Sequence, residues 1–122
     1  MNRHQSRENA MIVIYQYLLL GSDIQELISN FTVNEDHDFF SSLVINTIHN
    51  LTLLKDEISK HLTSWEFDRL NYVEQAILLI ASCELCLDEV EKAVVIDEAI
   101  ELSKEYCDEN AYRYINGVLD QL

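Results

Sequence analysis

From Val73 to Leu87 the chain is apolar everywhere except Glu74, Gln75, Ser82 and Glu84. A surface helix carries one apolar stripe, whereas a helix apolar nearly all round is one that others cover. The stretch Arg69 to Leu87 is therefore the predicted centre of the fold. Asn71 stands where an N-cap belongs, and Glu74, three residues on, can reach back to it. That is the spacing of a capping box.

The remaining pattern predicts helices to pack on this one. Residues 1–9 are polar and read as a frayed lead-in, followed by an apolar run from Ala10 to Leu20. Ile12, Val13 and Ile14 are β-branched, so apolar content alone leaves helix and strand open. Length favours helix, and Gly21 stands where a C′ glycine would end it. Ser22 with Gln25 offers another capping-box start, to a short helix bearing Ile24, Leu27, Ile28 and Phe31. The longest helix is predicted over about Glu35 to His61. Its stripe is Phe40, Leu43, Thr47, Leu51, Leu54, Ile58 and Leu62, widened by Phe39, Val44 and Ile48. Trp65, Phe67 and Leu70 mark a compact connection, and Asp88 to Lys92 a solvated link.

Val94 to Tyr106 is again helical, with Val95, Ile96, Ala99, Ile100, Ser103 and Tyr106 on one face. Asp97, Glu98, Glu101, Lys104 and Glu105 lie mainly away from it. Asn110 is placed to cap the last helix, whose stripe is Ala111, Tyr114, Ile115, Val118, Leu119 and Leu122. Gly117 inside that helix costs ~1 kcal/mol against alanine, and a close helix crossing is its expected reason.

Composition supports an all-α fold. The 122 residues include no proline and only two glycines, Gly21 and Gly117, too few for the turns of a strand protein. The length suits one domain with a single core. Net charge is −14, from 22 acidic and 8 basic residues, which by itself argues against nucleic acid. The acid is uneven, however. Residues 1–22 carry Arg3 and Arg7 against Glu8, while residues 84–109 carry ten acids against Lys92 and Lys104. Three cysteines without a secretory signal point to a reducing cytoplasm. The run Ala10 to Leu20 is too short for a bilayer, which needs about 20 apolar residues.

The chemistry-bearing residues form no catalytic pattern. Cys83 and Cys86 have C-x-x-C spacing but lie near the end of an apolar helix, where core cysteines are expected rather than a redox or zinc site. His4, His37, His49 and His61 are scattered, and there is no Gly-rich phosphate loop, nucleophile elbow or metalloprotease motif. Asp97, Glu98 and Glu101 read as a solvated face rather than a metal site. Nothing argues for an enzyme, a metal or a cofactor. Arg3 and Arg7, four apart, would share a helix face beside His4, where they either clamp phosphates or merely solubilise the chain end.

Three blocks carry a resemblance. Arg7-Glu8, Ala10 and Ile14-Tyr15-Gln16 resemble an Arg-rich start followed by Leu-Tyr. Val73-Glu74-Gln75-Ala76-Ile77-Leu78 with Glu84-Leu85 is similar to VE(R/K)AILR-A-YEL. Ile96 to Lys104 and Tyr114 to Asp120 resemble INEAVELAK and FVNGVLD. Together they resemble the bacterial NusB family of transcription antitermination factors, over essentially the whole chain and least between residues 21 and 64.

The resemblance implies about seven helices in two packed subdomains, about 1–62 and 63–122, and a non-enzymatic adaptor. Such an adaptor is a monomer or homodimer. It binds single-stranded boxA-like RNA of ribosomal RNA leader transcripts together with the small-subunit ribosomal protein NusE. The complex joins RNA polymerase and suppresses premature termination. On the matching positions, Arg3, His4, Arg7, Arg113 and Tyr114 would meet RNA, with Tyr114 either stacking on a base or filling the core. Glu74, Tyr15 and Asp68 would meet the ribosomal protein.

Departures temper these expectations. His4 and Gln5 stand where the family carries arginines, the proline before the INEAVELAK-like block is absent, and Asp97 replaces an asparagine. Weak RNA binding by the chain alone is therefore expected, each lost phosphate contact flattening the salt slope by ~0.7. The rival expectation is a protein-binding helical module that keeps the fold with little RNA binding.

Overall fold

In the computed structural model, residues 2–31 and 36–122 are described. Seven α-helices and one 3-10 turn follow in order: α1 Arg3–Leu20, α2 Ile24–Ser29, α3 His37–His49, α4 Leu51–Ser59, the turn Phe67–Arg69, α5 Tyr72–Leu87, α6 Lys92–Tyr106 and α7 Glu109–Asp120. Every described element of regular structure is helical.

Helix α5 is the hub. It packs against α1, α3, α4, α6 and α7, and every residue from Gln75 to Glu84 is buried. The Asn71 side chain accepts from the Glu74 N–H at 2.8 Å, and the Glu74 carboxylate accepts from the Asn71 N–H at 3.2 Å. Both arms of the predicted capping box are present. Gln75, buried in an otherwise apolar turn, satisfies its amide by donating to the Leu70 carbonyl at 2.8 Å. The helix ends at Asp88, whose φ of 53° is left-handed, a conformation aspartate tolerates better than most residues.

Several boundaries differ from the sequence expectation, each for a local reason. The polar lead-in is the first turn of α1. Asn2 caps it, accepting from the Gln5 N–H at 2.8 Å, while its own N–H donates to the Gln5 side chain at 3.0 Å. Gly21 ends the helix at φ 65°, as its spacing implied. Asp23, rather than Ser22, caps α2. The predicted long helix is two, and α1, with 18 residues, is the longest. Asn50 separates α3 from α4: its backbone leaves the helical range at φ −110° and ψ 20°, although its N–H still donates to the Asn46 carbonyl at 3.1 Å. The expected start at Glu35 lies outside the described residues.

The last helix is capped by Asp108 rather than Asn110, the Asp108 carboxylate accepting from the Asn110 and Ala111 N–H groups. Gly117 faces solvent, and a Cβ built there meets nothing within 4 Å. It makes no close crossing. Gly117→Ala is therefore expected to raise stability by up to ~1 kcal/mol, because alanine gains helix propensity with nothing to clash. An unchanged or lowered urea midpoint would contradict this.

The cysteines divide by burial. Cys83 is buried, Cys107 is half-buried and Cys86 is exposed, all as free thiols. The core expectation thus fails for Cys86. Burial pushes the Cys83 thiol above its ordinary value and Cys107 to about 11, so both stay protonated and unreactive. Among the described residues, no helix is long and apolar enough to cross a membrane.

Candidate nucleic-acid interface

The N-terminal basic residues are held by Asp36, the residue preceding α3, and by acids of α5 and α6. Arg3 donates from Nε and Nη2 to the two carboxylate oxygens of Asp36, at 3.2 and 3.1 Å, and its guanidinium lies 3.8 Å over the Phe39 ring. The Ser6 hydroxyl donates to the same carboxylate. Burial pushes the Asp36 pKa up, but the hydrogen bonds from Ser6 and Arg3 outweigh it and hold the group below its ordinary value.

Arg7 lies inside the protein, 4% exposed. It forks onto Glu84 of α5, Nε to Oε1 at 2.8 Å and Nη2 to Oε2 at 2.6 Å, with Glu98 of α6 4.0 Å from Nη1. Burial works against its charge, and the Glu84 carboxylate more than restores it. The expectation that both arginines stand exposed on one helix face, to clamp phosphates or to solubilise the chain end, is corrected for Arg7, while Arg3 is exposed. Arg7 shares its helix face with buried Ala10, Met11 and Ile14, so the stripe that docks α1 carries Arg7 inward.

His4 also has a partner, its Nδ1 lying 2.7 Å from Glu98 Oε2. Glu98 therefore faces Arg7 and His4 rather than open solvent, contrary to the sequence reading. The bond to Glu98 raises the His4 pKa above 6.5, against a smaller opposing effect of burial, with Glu8 and Glu105 adding to the rise. A raised folded-state pKa contributes stability that is full below about 6.5 and fades as pH climbs through the folded value. His4→Ala should therefore lose stability relative to the parent at mildly acidic pH and match it in mildly alkaline solution. Urea midpoints with a constant offset across that range would contradict this.

The other predicted RNA residues lie toward the opposite end of α5. Glu84 and Glu74 are separated by about 15 Å of helix axis. There, a groove of about 540 Å³ opens between the starts of α5 and α7, its lining including Trp65, Arg69, Asn71, Glu74, Arg113 and Tyr114. Tyr114 is half-buried against the core. Its ring stacks on Trp65 with centroids 6.1 Å apart and planes at 30°. It is thus partly a core aromatic and partly a groove wall. The Tyr114 hydroxyl is buried beside the Glu74 carboxylate. Burial, and after it the Glu74 carboxylate, pushes this phenol well above its ordinary range. Arg113 is exposed, with no ion pair among the described residues.

The residues expected to meet a protein partner are dispersed. Glu74 sits in the groove with Arg113 and Tyr114. Asp68 is exposed and bridged to Lys55 at 3.0 Å, in the neighbouring groove on the other side of Trp65. Tyr15 is half-buried on α1, outside both linings. Sequence reasoning passed over Trp65, which it placed in a structural connection. Its position among polar neighbours, Ser64 and Glu66, was the available signal of exposure.

One trio, His4, Glu8 and Glu105, brings potential metal-ligand atoms within 4.8 Å of one another. Two of its members are already engaged: His4 by Glu98, and Glu8 as acceptor of the Tyr106 hydroxyl at 2.8 Å. Among the described residues no nucleophile, base and orienting group stand together in a catalytic arrangement.

The NusB family model matches residues 4–122. The transcription antitermination protein NusB of Sulfurovum sp. (strain NBC37-1) is 38% identical over 98% of this chain and 96% of its own length. That of Oceanobacillus iheyensis is 36% identical over 100% and 98%. Among solved structures, T. maritima NusB superposes with a TM-score of 0.91 at 26% identity, covering 99% of this chain and 89% of the other. A chain in the crystal structure of antitermination factors NusB and NusE in complex with double-stranded RNA superposes with a TM-score of 0.86 at 30% identity, covering 99% and 96%. The chain belongs to the NusB family.

Proposed function

We propose that this chain is a transcription antitermination factor, a non-catalytic cytoplasmic adaptor that holds boxA-like RNA together with the ribosomal protein NusE. The observation carrying this reading is the match along nearly the whole chain to a protein crystallised with NusE and RNA. That complex contains double-stranded RNA, so duplex and single-stranded boxA-like RNA both belong in the test.

The charges set the terms on which RNA binds. Arg3, Arg7, Lys55, Lys60 and Arg69 are each paired with an acid, and Lys92 donates to the carbonyls of Asp120 and Leu122. A chain with net charge −14 and most of its cations so occupied attracts a polyanion poorly by itself. The ribosomal protein is therefore the expected source of much of the basic surface. The same observation favours a second reading, a protein-binding module with little RNA affinity of its own.

Fluorescence anisotropy with labelled boxA-like RNA, with and without NusE, separates the two. Weak binding by the chain alone and tighter binding by the mixture supports the antitermination reading. Absence of binding in both mixtures up to tens of micromolar removes the RNA role and leaves the protein-binding module.

A further inference from the structure

Helices α1 and α6 pack together and gather side chains whose meeting the core does not require. His4 and Glu8, four residues apart, share a face of α1. Glu98 and Glu105, seven apart, share a face of α6. One ligating atom from each of His4, Glu8 and Glu105 lies within 4.8 Å of the other two. Two carboxylates are thereby held near each other across a helix contact, with an imidazole as the third member. Like charges so placed repel each other and favour a cation between them.

What separates this trio from an acidic surface patch is the imidazole and the way it is held. His4 Nδ1 lies 2.7 Å from Glu98 Oε2, so the other ring nitrogen, Nε2, points away from Glu98 and keeps its lone pair for a ligand. A carboxylate behind a histidine fixes the tautomer and ring orientation at zinc sites. Glu8 is supported in the same manner. Its Oε2 accepts from the Tyr106 hydroxyl at 2.8 Å, which leaves Oε1 available. Both supporting bonds come from side chains outside the trio. Glu105 is exposed, and its carboxylate makes no hydrogen bond among the described residues, so it is free to swing.

The donor types select the ion. One imidazole nitrogen with two carboxylate oxygens suits a divalent transition metal, whereas magnesium and calcium prefer oxygen alone. Zinc at about 2.1 Å from each ligand sets tetrahedral neighbours about 3.4 Å apart. Closing the widest gap in the trio then takes about 1.4 Å of side-chain movement. Three protein ligands leave the fourth position to water.

We propose that His4 Nε2, Glu8 and Glu105 bind a divalent transition-metal ion of the zinc type, with Glu98 orienting His4 and Tyr106 orienting Glu8. The ion fastens the first two turns of α1 to the last turn of α6. Nothing in the site requires RNA, so it stands or falls apart from the antitermination reading.

The test is calorimetric titration of the untagged full-length protein with zinc chloride, in mildly alkaline buffer where His4 is neutral and ready to ligate. One ion should bind, and the melting temperature should climb with zinc concentration. Glu105→Gln, at an exposed side chain without a hydrogen bond, keeps the fold and should weaken zinc binding about tenfold or more. Magnesium should compete poorly. Nitrogen NMR of the histidine rings should show zinc on His4 Nε2, with Nδ1 still carrying its proton toward Glu98. Cys86→Ser should bind zinc as the parent does, and the cobalt-loaded parent should lack a thiolate charge-transfer band.

Absence of zinc binding by the parent would overturn the site. So would unchanged affinity in Glu105→Gln, because the ion would then lie elsewhere. A thiolate band with cobalt, or loss of binding in Cys86→Ser, would assign the ion to the exposed thiol and overturn it too. Zinc carried on Nδ1 would remove the orienting role of Glu98.

Discussion

Glu84→Ala is expected to cost ~3–5 kcal/mol of stability, because it strands a guanidinium that cannot lose its proton inside the core. Arg7 is 4% exposed and held by two short hydrogen bonds to Glu84. Glu98, 4.0 Å from Nη1, offers partial compensation, so the lower half of that range is expected. Arg7→Ala strands the carboxylate instead, and a carboxyl group can escape by taking a proton. At neutral pH that escape limits the penalty to about 4 kcal/mol, from the distance between pH 7 and an ordinary glutamate pKa.

The two single variants therefore differ in pH dependence. In Arg7→Ala protonation relieves a carboxylate stranded in the core, so the deficit shrinks as pH falls. In Glu84→Ala it does not. Replacing both, as Arg7→Met with Glu84→Leu, should return stability to near the parent value, since a buried pair is worth little more than well-packed apolar side chains. Urea denaturation of the parent, Arg7→Met, Glu84→Leu and that double variant forms a double-mutant cycle. A coupling energy near zero would mean that Arg7 and Glu84 do not meet in solution.

The second large effect is at the hub. Ala76 is completely buried, at 0% exposure, and Ala76→Glu introduces both volume and an unpaired charge there. Overpacking costs about 1–3 kcal/mol and burial of the unpaired charge several more. Set against a total stability of about 5–15 kcal/mol, the sum should unfold the protein or leave it molten. Cys86→Glu, on the exposed side of the same helix, should stay within about 0.5 kcal/mol of the parent. Cooperative melting of Ala76→Glu at the parent temperature would show that α5 is not the covered central helix.

Much of the fold was legible because its signals are local. The apolar run of α5, its Asn71–Glu74 cap and Gly21 act over a few residues, and each has its expected structural counterpart. The missed start of α1 carries the same kind of signal, Asn2 and Gln5 at cap spacing, but polar neighbours disguised it as a tail. The division between α3 and α4 was hidden for a different reason. Apolar spacing continues through Thr47, Leu51 and Leu54, and the break is a departure of the Asn50 backbone from helical angles that leaves the stripe intact. Gly117 illustrates the opposite error: a residue with a common structural use that this environment does not exploit.

Legibility was poorest where function is sought. Glu84 is a charged residue within the apolar length of α5, which signals that a partner is required without naming it. Arg7 stands in step with Ala10, Met11 and Ile14, which signals that it points inward. The bond joining them spans 77 residues of sequence, and no helical period reaches that far. Sequence by itself determined the helices, the hub and the family-like blocks, because propensity, capping and apolar spacing are short-range properties. The tertiary structure alone decided which charges are used up inside the protein and which remain for a partner. Charge pairing depends on three-dimensional distance, and it withdrew Arg7 into the core while leaving Arg113 exposed beside Trp65.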